Sequence, residues 1–305
     1  MPAHTADELL ESVKVRACTP TRQSTITDAE ILRIATEELV GFILPAIRQA
    51  RSGYFQYAKD FSLSGVSNGF AIPSRAAGNI ITRALLISDT GATAEVPFAT
   101  EGDYDTLPYS TSNQGVYQNA VYYIRNNKVY LNPYPLSGAS TLRVIYPLRP
   151  GNLVLTTSAR QILSHTSTSI TLTSSLGTLS TGTAFDIISN GSPYVYHATD
   201  QTGTVAGDTI SGISVPTDVA DGDWVVIAGE SPVPQIPYEL HPVLRARTVC
   251  GVLESQGYMN ELPAAENTAN RLLSQLLGTV TPRAEGQTQK IINVNPFVEN
   301  DNWWR

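Results

Sequence analysis

The chain is poor in the residues that build covalent or metal frameworks. Among its 305 residues are only two cysteines, Cys18 and Cys250, in unrelated contexts and without a CxxC pairing. That excludes a disulfide scaffold and a cysteine-based zinc site and points to a reducing compartment. The four histidines, His4, His165, His197 and His241, are scattered without an HExxH or an i,i+4 partner, so no metal ligand set is expected. Charge is also scarce, at 15% of residues, well below the roughly 25% of an ordinary soluble domain. Basic residues are the scarcer sign: 20 Lys and Arg stand against 27 Asp and Glu. A protein that grips phosphates needs the opposite balance, which disfavours a DNA-binding packaging protein. No apolar run approaches the length of a membrane span, and Met1 to Thr19 has neither the basic nor the apolar region of a signal peptide. The expectation is a protein made and kept in the cytosol until an assembly carries it elsewhere, with no membrane contact.

What fills the gap is Ser, Thr, Gly, Asn, Tyr and Pro, the composition of strands and turns. With 42% apolar residues the chain can bury an ordinary core. Residues 1–26 read as an arm or a short helix. Thr27, Asp28, Ala29 and Glu30 spell a capping box, and Leu32, Ala35, Leu39, Phe42 and Ala46 continue as one apolar stripe. Ser52 and Gly53 stop that helix, and Pro45 inside it predicts a bend near Gly41.

From residue 54 to 149 the pattern is an antiparallel sheet. Val121–Arg125 and Lys128–Leu131 flank Asn126-Asn127, a pair suited to a two-residue hairpin turn, and Thr141–Tyr146 offers a third strand after the Pro133 and Pro135 turn. Tyr117, Tyr122, Tyr123, Tyr130 and Tyr146 would give that sheet an aromatic face. Residues 150–232 read as an inserted small β-barrel or sandwich, with strands at Ser169–Thr173, Ala184–Ile188, Tyr194–Ala198 and Asp223–Ala228. A linker with Pro232, Pro234 and Pro237 leads to a helical hairpin over residues 238–278. Its first helix carries Val243, Ala246, Cys250 and Leu253 and ends at Gly257. The second starts at Pro263, carries Ala265, Ala269, Leu272 and Leu276 and ends at Gly278. The fold class expected is therefore α+β: a helical bundle of the N-terminal helix and the C-terminal hairpin, an antiparallel sheet, the inserted domain, and an extended arm over 279–305.

Candidate chemistry is thin. Gly65-Val66-Ser67-Asn68-Gly69 fits GxSxG, but Pro73 follows, no long helix comes next and the surroundings are a meander, so Ser67 reads as a turn residue. Glu101, Asp103 and Asp105 alternate like the start of a calcium loop, yet Thr106 and Ser112 stand where Gly and Glu are required, leaving a solvated acidic turn. Asp221-Gly222-Asp223 before Trp224 reads as a tight turn into a strand, and His241 as a helix-start residue. No catalytic residue, cofactor or metal is expected. The tail is more informative. Lys290-Ile291-Ile292-Asn293-Val294 alternates as a strand that could be added to a sheet edge, and Pro296, Phe297, Trp303 and Trp304 are typical interface anchors. Ile291, Ile292, Val294, Pro296, Phe297, Trp303 and Trp304 are thus the expected partner-docking residues, the alternative being that the indoles dock on their own subunit.

Several stretches carry a resemblance. YFQYAKDFSLSGVSNGFAIPSR after the capped helix, VYYIRNNKVYLNPYPLSGASTLRVIYPLRPGNLV, TGTAFDIIS and DWVVIAGESPVPQIPYELHPVLRARTV together resemble the head-to-tail adaptor proteins of SU10-like short-tailed bacteriophages. The similarity covers residues 27–277. Its more specific pieces are the NP-P turn with the LRP-LV exit and the SPVPQIP-ELHP segment. The resemblance implies a non-enzymatic virion protein at the neck: a dodecameric ring fixed to the portal protein, extending the DNA channel and carrying a downstream tail or nozzle protein, with dsDNA passing through unbound. A tail spike or fibre that binds or cleaves host glycans is the rival reading from composition, and it would need two carboxylates facing across a sugar.

Overall fold

The computed structural model describes residues 5–17, 26–51, 53–63, 68–100, 120–132, 139–191 and 194–280. The chain is a mixed α+β protein with several antiparallel sheets. Of the arm or short helix expected at the N-terminus, the helix forms: α1 (Ala6–Arg16) is capped by the Thr5 hydroxyl. It buries Ala6, Leu9, Leu10 and Val13. Their three- and four-residue spacing gives a short apolar stripe, and that is why the segment docks. The capping box forms as expected: the Glu30 amide donates to Thr27 Oγ1 while Glu30 Oε2 accepts from the Thr27 amide, opening α2 (Asp28–Glu38). The expected bend is a π turn over Leu39–Ile43, centred on Gly41, followed by α3 (Leu44–Ala50) with Pro45 in its first turn. Proline has no N–H to offer Gly41, and one widened turn absorbs the missing bond.

The strands follow: β1 (Gln56–Ser62), β2 (Phe70–Ala71), β3 (Arg83–Ser88), β4 (Thr93–Val96), β5 (Val121–Arg125), β6 (Lys128–Asn132) and β7 (Ala139–Pro147). β5 and β6 make the expected hairpin, with Asn126 and Asn127 both at positive φ. The expected third partner is corrected. β7 leaves the hairpin for a four-stranded sheet ordered β1-β7-β3-β4, and the hairpin pairs with β2. Tyr123 and Tyr130 stack on the hairpin at 5.3 Å, whereas Tyr146 lies in the other sheet, so the aromatic residues do not share one face. Asn68 joins the hairpin by bonding both the carbonyl and the amide of Leu131.

After β8 (Asn152–Leu153) the chain builds β9 (Arg160–His165), β10 (Ser169–Leu172), β11 (Phe185–Ile188), β12 (Tyr196–Gln201), β13 (Thr204–Ala206), β14 (Thr209–Ser211) and β15 (Trp224–Ile227), then β16 (Glu230–Ser231). These form one open seven-stranded antiparallel sheet, ordered β12-β11-β15-β9-β10-β14-β13, which does not close into a barrel. One side of it has a separate apolar core that includes Ile162, Ile170, Phe185, Ile187, Ile210 and Val225. Ile188, Tyr196, Trp224 and Val226 point the other way, into the main core. β11 and β15 are thus walls shared by two cores, which explains why β15 is apolar throughout and β11 is apolar except at Asp186.

α4 (His241–Ser255) and α5 (Leu262–Val280) complete the chain. α4 packs against α1, α2 and α5. Gly251 permits the approach of α2, since a Cβ there would meet Ile34 Cγ2 at 2.5 Å. Gly257, at φ 79°, closes α4 as expected. α5 runs past Gly278, the expected stop, to Val280. A helix interior tolerates glycine at a cost of about 1 kcal/mol, so that signal was weak.

Candidate functional site

The two motifs with the most specific resemblance, roughly 80 residues apart, are brought side by side. β8, from LRP-LV, and β16, from SPVPQIP, pair in parallel, Asn152 with Glu230 and Leu153 with Ser231. Here the chain passes into the seven-stranded unit and returns from it. The proline-rich stretch is not a free linker: Ser231 through Ile236 are all buried. Its backbone is used as a strap. The Pro232 carbonyl accepts from the Ala6 amide at the head of α1, and the Gln235 carbonyl accepts from Tyr54 Oη. Prolines suit such a position because they lack N–H groups that would need burial partners. The LRP-LV side is fastened to the helices in turn. Arg48 donates to the Leu148 carbonyl, and Thr36 Oγ1 accepts from the Leu153 amide.

Around this crossing lies a seam of directional contacts. Gly151 donates to Tyr196 Oη at 2.8 Å and to Gln235 Oε1 at 3.3 Å. A side chain at Gly151 is excluded, because its Cβ would stand 2.7 Å from the Glu230 carbonyl carbon and 2.8 Å from Tyr196 Oη. Tyr57, on β1, clasps β12 by donating to the Tyr196 carbonyl and accepting from the Tyr196 amide. Arg75 stacks its guanidinium 4.7 Å from the Tyr196 ring centre, donates to Tyr196 Oη and forms an ion pair with Asp186. Asp186 is fully buried and also accepts from the amides of Asp200 and Gly229. Burial pushes its carboxyl above the ordinary carboxylate value, and Arg75 and the two amides draw it part of the way back. For Arg75 burial opposes the charge, but Tyr196 and Asp186 outweigh it and hold the guanidinium protonated.

A second cluster borders the seam. His197 Nδ1 lies 2.7 Å from Asp218 Oδ2 and its Nε2 3.1 Å from Asp223 Oδ2, with the imidazole only 7% exposed. The Asp223 hydrogen bond, helped by Asp218, raises the His197 pKa against the effect of burial. Burial alone would raise Asp223, yet His197 and the amides of Ala220 and Asn190 leave it lowered. Both ring nitrogens are engaged by carboxylates, which is the arrangement of a fixed imidazolium and not of a base with a free lone pair. A cavity of about 560 Å³ opens beside it, lined in part by Tyr57, Lys59, Arg143, Tyr146, His197 and Asp200.

The residues weighed in the sequence fall in different places. His165 meets Asp221 at 3.1 Å in an exposed pair. His241 does start α4, buried between Tyr194 and Tyr238. Cys250 is a buried thiol against α5, its pKa raised by burial. Asp223 is more than the expected turn residue. His4, Cys18, Ser67, Tyr117, Glu101, Asp103, Asp105, Pro133 and Pro135 lie outside the described residues, as do Ile291, Ile292, Val294, Pro296, Phe297, Trp303 and Trp304. Among the described residues no group of three His, Cys, Asp or Glu is arranged to hold a metal ion, and no helix is long and apolar enough to cross a membrane. The seam residues Tyr57, Arg75, Gly151, Asp186 and Gln235 were missed, because each is separated from its partners by tens of residues. Asp186 alone left a trace, as an acid inside an apolar strand. No protein-family model matches the chain, and no curated protein matches it.

Proposed function

We propose that this chain is a non-enzymatic structural subunit of the head-to-tail adaptor ring of a short-tailed bacteriophage, located at the virion neck after assembly in the host cytoplasm. In this reading the α helices act as the bundle that meets neighbouring copies and the portal protein. The β-rich unit over 150–232 is an insert that thickens the ring wall. The 279–305 arm latches a neighbour, the portal or the downstream tail or nozzle protein. The ring, dodecameric by resemblance, continues the channel for dsDNA, and an acidic chain suits a wall from which phosphates are repelled.

The observation that carries the reading is the crossing of β8 and β16. The segments on which the resemblance is most specific pair where the chain enters and leaves the β-rich unit, and Leu153 of that pair is also bonded to Thr36 of α2. A ring that transmits load between capsid and tail needs such a rigid bracket in each copy. The test is to mix the purified chain with the portal protein of the same virion and examine the product by negative-stain microscopy and by mass. Rings stacked on the portal are expected. A chain that leaves the portal bare, or that instead binds or cleaves host surface glycans, would overturn the proposal.

A further inference from the structure

Two of the chain's four histidines hold the same short segment. Residues 216–221 lie between β14 and β15 in the seven-stranded unit. His197, on β12, sets its Nδ1 2.7 Å from Asp218 Oδ2, and His165, the last residue of β9, sets its Nδ1 3.1 Å from Asp221 Oδ1. Between the two pairs the Val219 side chain is buried in the core of the unit. Backbone bonds to the rest of the unit flank the segment, from the Val215 amide to the Ser167 carbonyl and from the Gly222 amide to the Ile162 carbonyl. Inside it, the bond from the Val219 amide to the Pro216 carbonyl closes a turn of the segment itself. The segment is therefore a strap, fastened by one apolar plug and two His–Asp pairs.

The two pairs differ in their need for a proton. His165 engages one ring nitrogen, and a neutral imidazole can keep that bond through Nδ1–H. His197 has carboxylates on both nitrogens, the second being Asp223 Oδ2 at 3.1 Å from Nε2. A neutral imidazole carries a single N–H, so loss of the other proton to solvent sets a lone pair against one carboxylate. Asp223 is fixed, with its side chain 8% exposed and accepting from the amides of Ala220 and Asn190. Asp218 is 65% exposed and can turn into water. The remaining N–H therefore stays with Asp223, and Asp218 is the partner that leaves. Other charged groups share the cavity of about 560 Å³ beside the ring: Lys59 and Asp60 of β1, Arg143 of β7 and Asp200 of β12. Asp60 is taken up by Arg143 at 2.7 Å, and the ion pairs of His197 among the described residues are those with Asp218 and Asp223. The phenols of Tyr57 and Tyr146, in the same cavity, are pushed up by burial and stay protonated. Pro216, at the start of the strap, forms part of the cavity wall.

We infer that residues 216–221 are a proton-operated strap: an imidazolium at His197 pins Asp218 to β12, and the neutral ring releases it, so that this part of the strap lifts and the adjoining cavity widens. His197 is held above its ordinary 6.5 and Asp218 below 3.8, so the strap is fully pinned between 3.8 and 6.5. It is released as pH rises through the raised His197 value, and again as pH falls through the lowered Asp218 value. The strap belongs to the single chain and does not depend on assembly into a ring.

The test is hydrogen exchange of the full chain, expressed as protection relative to the intrinsic exchange rate at each pH. Between pH below 6.5 and pH above the raised His197 value, residues 216–221 should lose about tenfold in protection, the effect of one charge-assisted hydrogen bond, while β11 and β15 keep theirs. His197→Ala should leave the strap in its released state throughout. Asp218→Asn should keep it pinned throughout, because an amide can accept from the imidazolium and donate to the neutral ring. Strap protection that is constant with pH in the unmodified chain overturns the inference, as does a pH-dependent loss that persists in either variant. A loss shared equally by β11 and β15 also overturns it, by marking general unfolding. Asp218 is exposed, so its variant decides the matter even where His197→Ala fails to fold.

Discussion

The main body and the seven-stranded unit are each packed inside by burial, and where they meet the shared burial of Ile188, Trp224 and Val226 is joined by bonds with direction. Inside, the contacts are aliphatic and interchangeable: Ile31, Leu39, Ile43, Val243 and Val252 in one core, Ile162, Ile170, Leu172 and Ile210 in the other. At the seam they are specific, with Arg75 on Asp186, Tyr57 on the backbone of Tyr196 and Gly151 under Tyr196 Oη. Hydrophobic burial is non-directional and fixes that two bodies meet, while a bidentate or two-way hydrogen bond fixes how they meet. The difference teaches that the seam residues fix geometry in addition to contributing stability, while the aliphatic cores contribute stability alone.

The comparison breaks most readily at Asp186. Asp186→Ala leaves Arg75 without its carboxylate in a site only 12% exposed on the arginine side. A loss of about 3–5 kcal/mol is expected in denaturant unfolding, as for removal of one partner of a buried pair. A loss below that of an ordinary surface substitution would show that the pair is not a seam determinant. Gly151→Ala should follow with about 1–3 kcal/mol, since the added methyl group forces the Glu230 backbone or the Tyr196 ring to move. Hydrogen exchange should then rise at the crossing before it rises in either core.

The pH dependence sharpens the contrast further. His197 is held above its ordinary value of 6.5, so its contribution is full below 6.5 and fades as pH rises through the raised value. Asp218 and Asp223 are held below 3.8, so theirs is present above 3.8 and lost as pH falls through the lowered values. The clamp is thus strongest between 3.8 and 6.5, and thermal unfolding followed across pH should lose that feature in His197→Ala. The smallest effect is expected far from the seam. Thr27→Ala removes the hydroxyl that caps α2 and should lower stability by about 1 kcal/mol, leaving hydrogen exchange at the crossing unchanged.

Local signals survived translation into structure, and long-range ones did not. The capping box at Thr27, the Asn126-Asn127 turn and the end of α4 at Gly257 depend on residues within a few positions of each other, and each formed as read. The perturbation by Pro45 was also legible, though not its form as a π turn. The transfer of β7 into a sheet with β1 was not, because register between segments some 80 residues apart leaves no periodic trace. The seam suffers the same loss of legibility. Tyr57 and Tyr196, 139 positions apart, look in the sequence like any two strand tyrosines. The prolines after Ser231 misled for another reason, since composition alone does not separate an exposed linker from a strap buried by its neighbours.

The crossing of β8 and β16 can also be considered as a mechanical joint. Two parallel strands about 4.8 Å apart, carrying the chain into and out of the unit, define by themselves one axis about which the unit could swing. Tyr57 and Arg75 belong to neither strand and act as the door latch on that hinge. With the latch closed, the unit is tied to β1 through Tyr57 and to the segment before β3 through Arg75. With the latch cut and the strands intact, the burial of Ile188, Trp224 and Val226 in the main core would still oppose its turning. The joint therefore separates the angle at which the unit stands from the attachment that keeps it there.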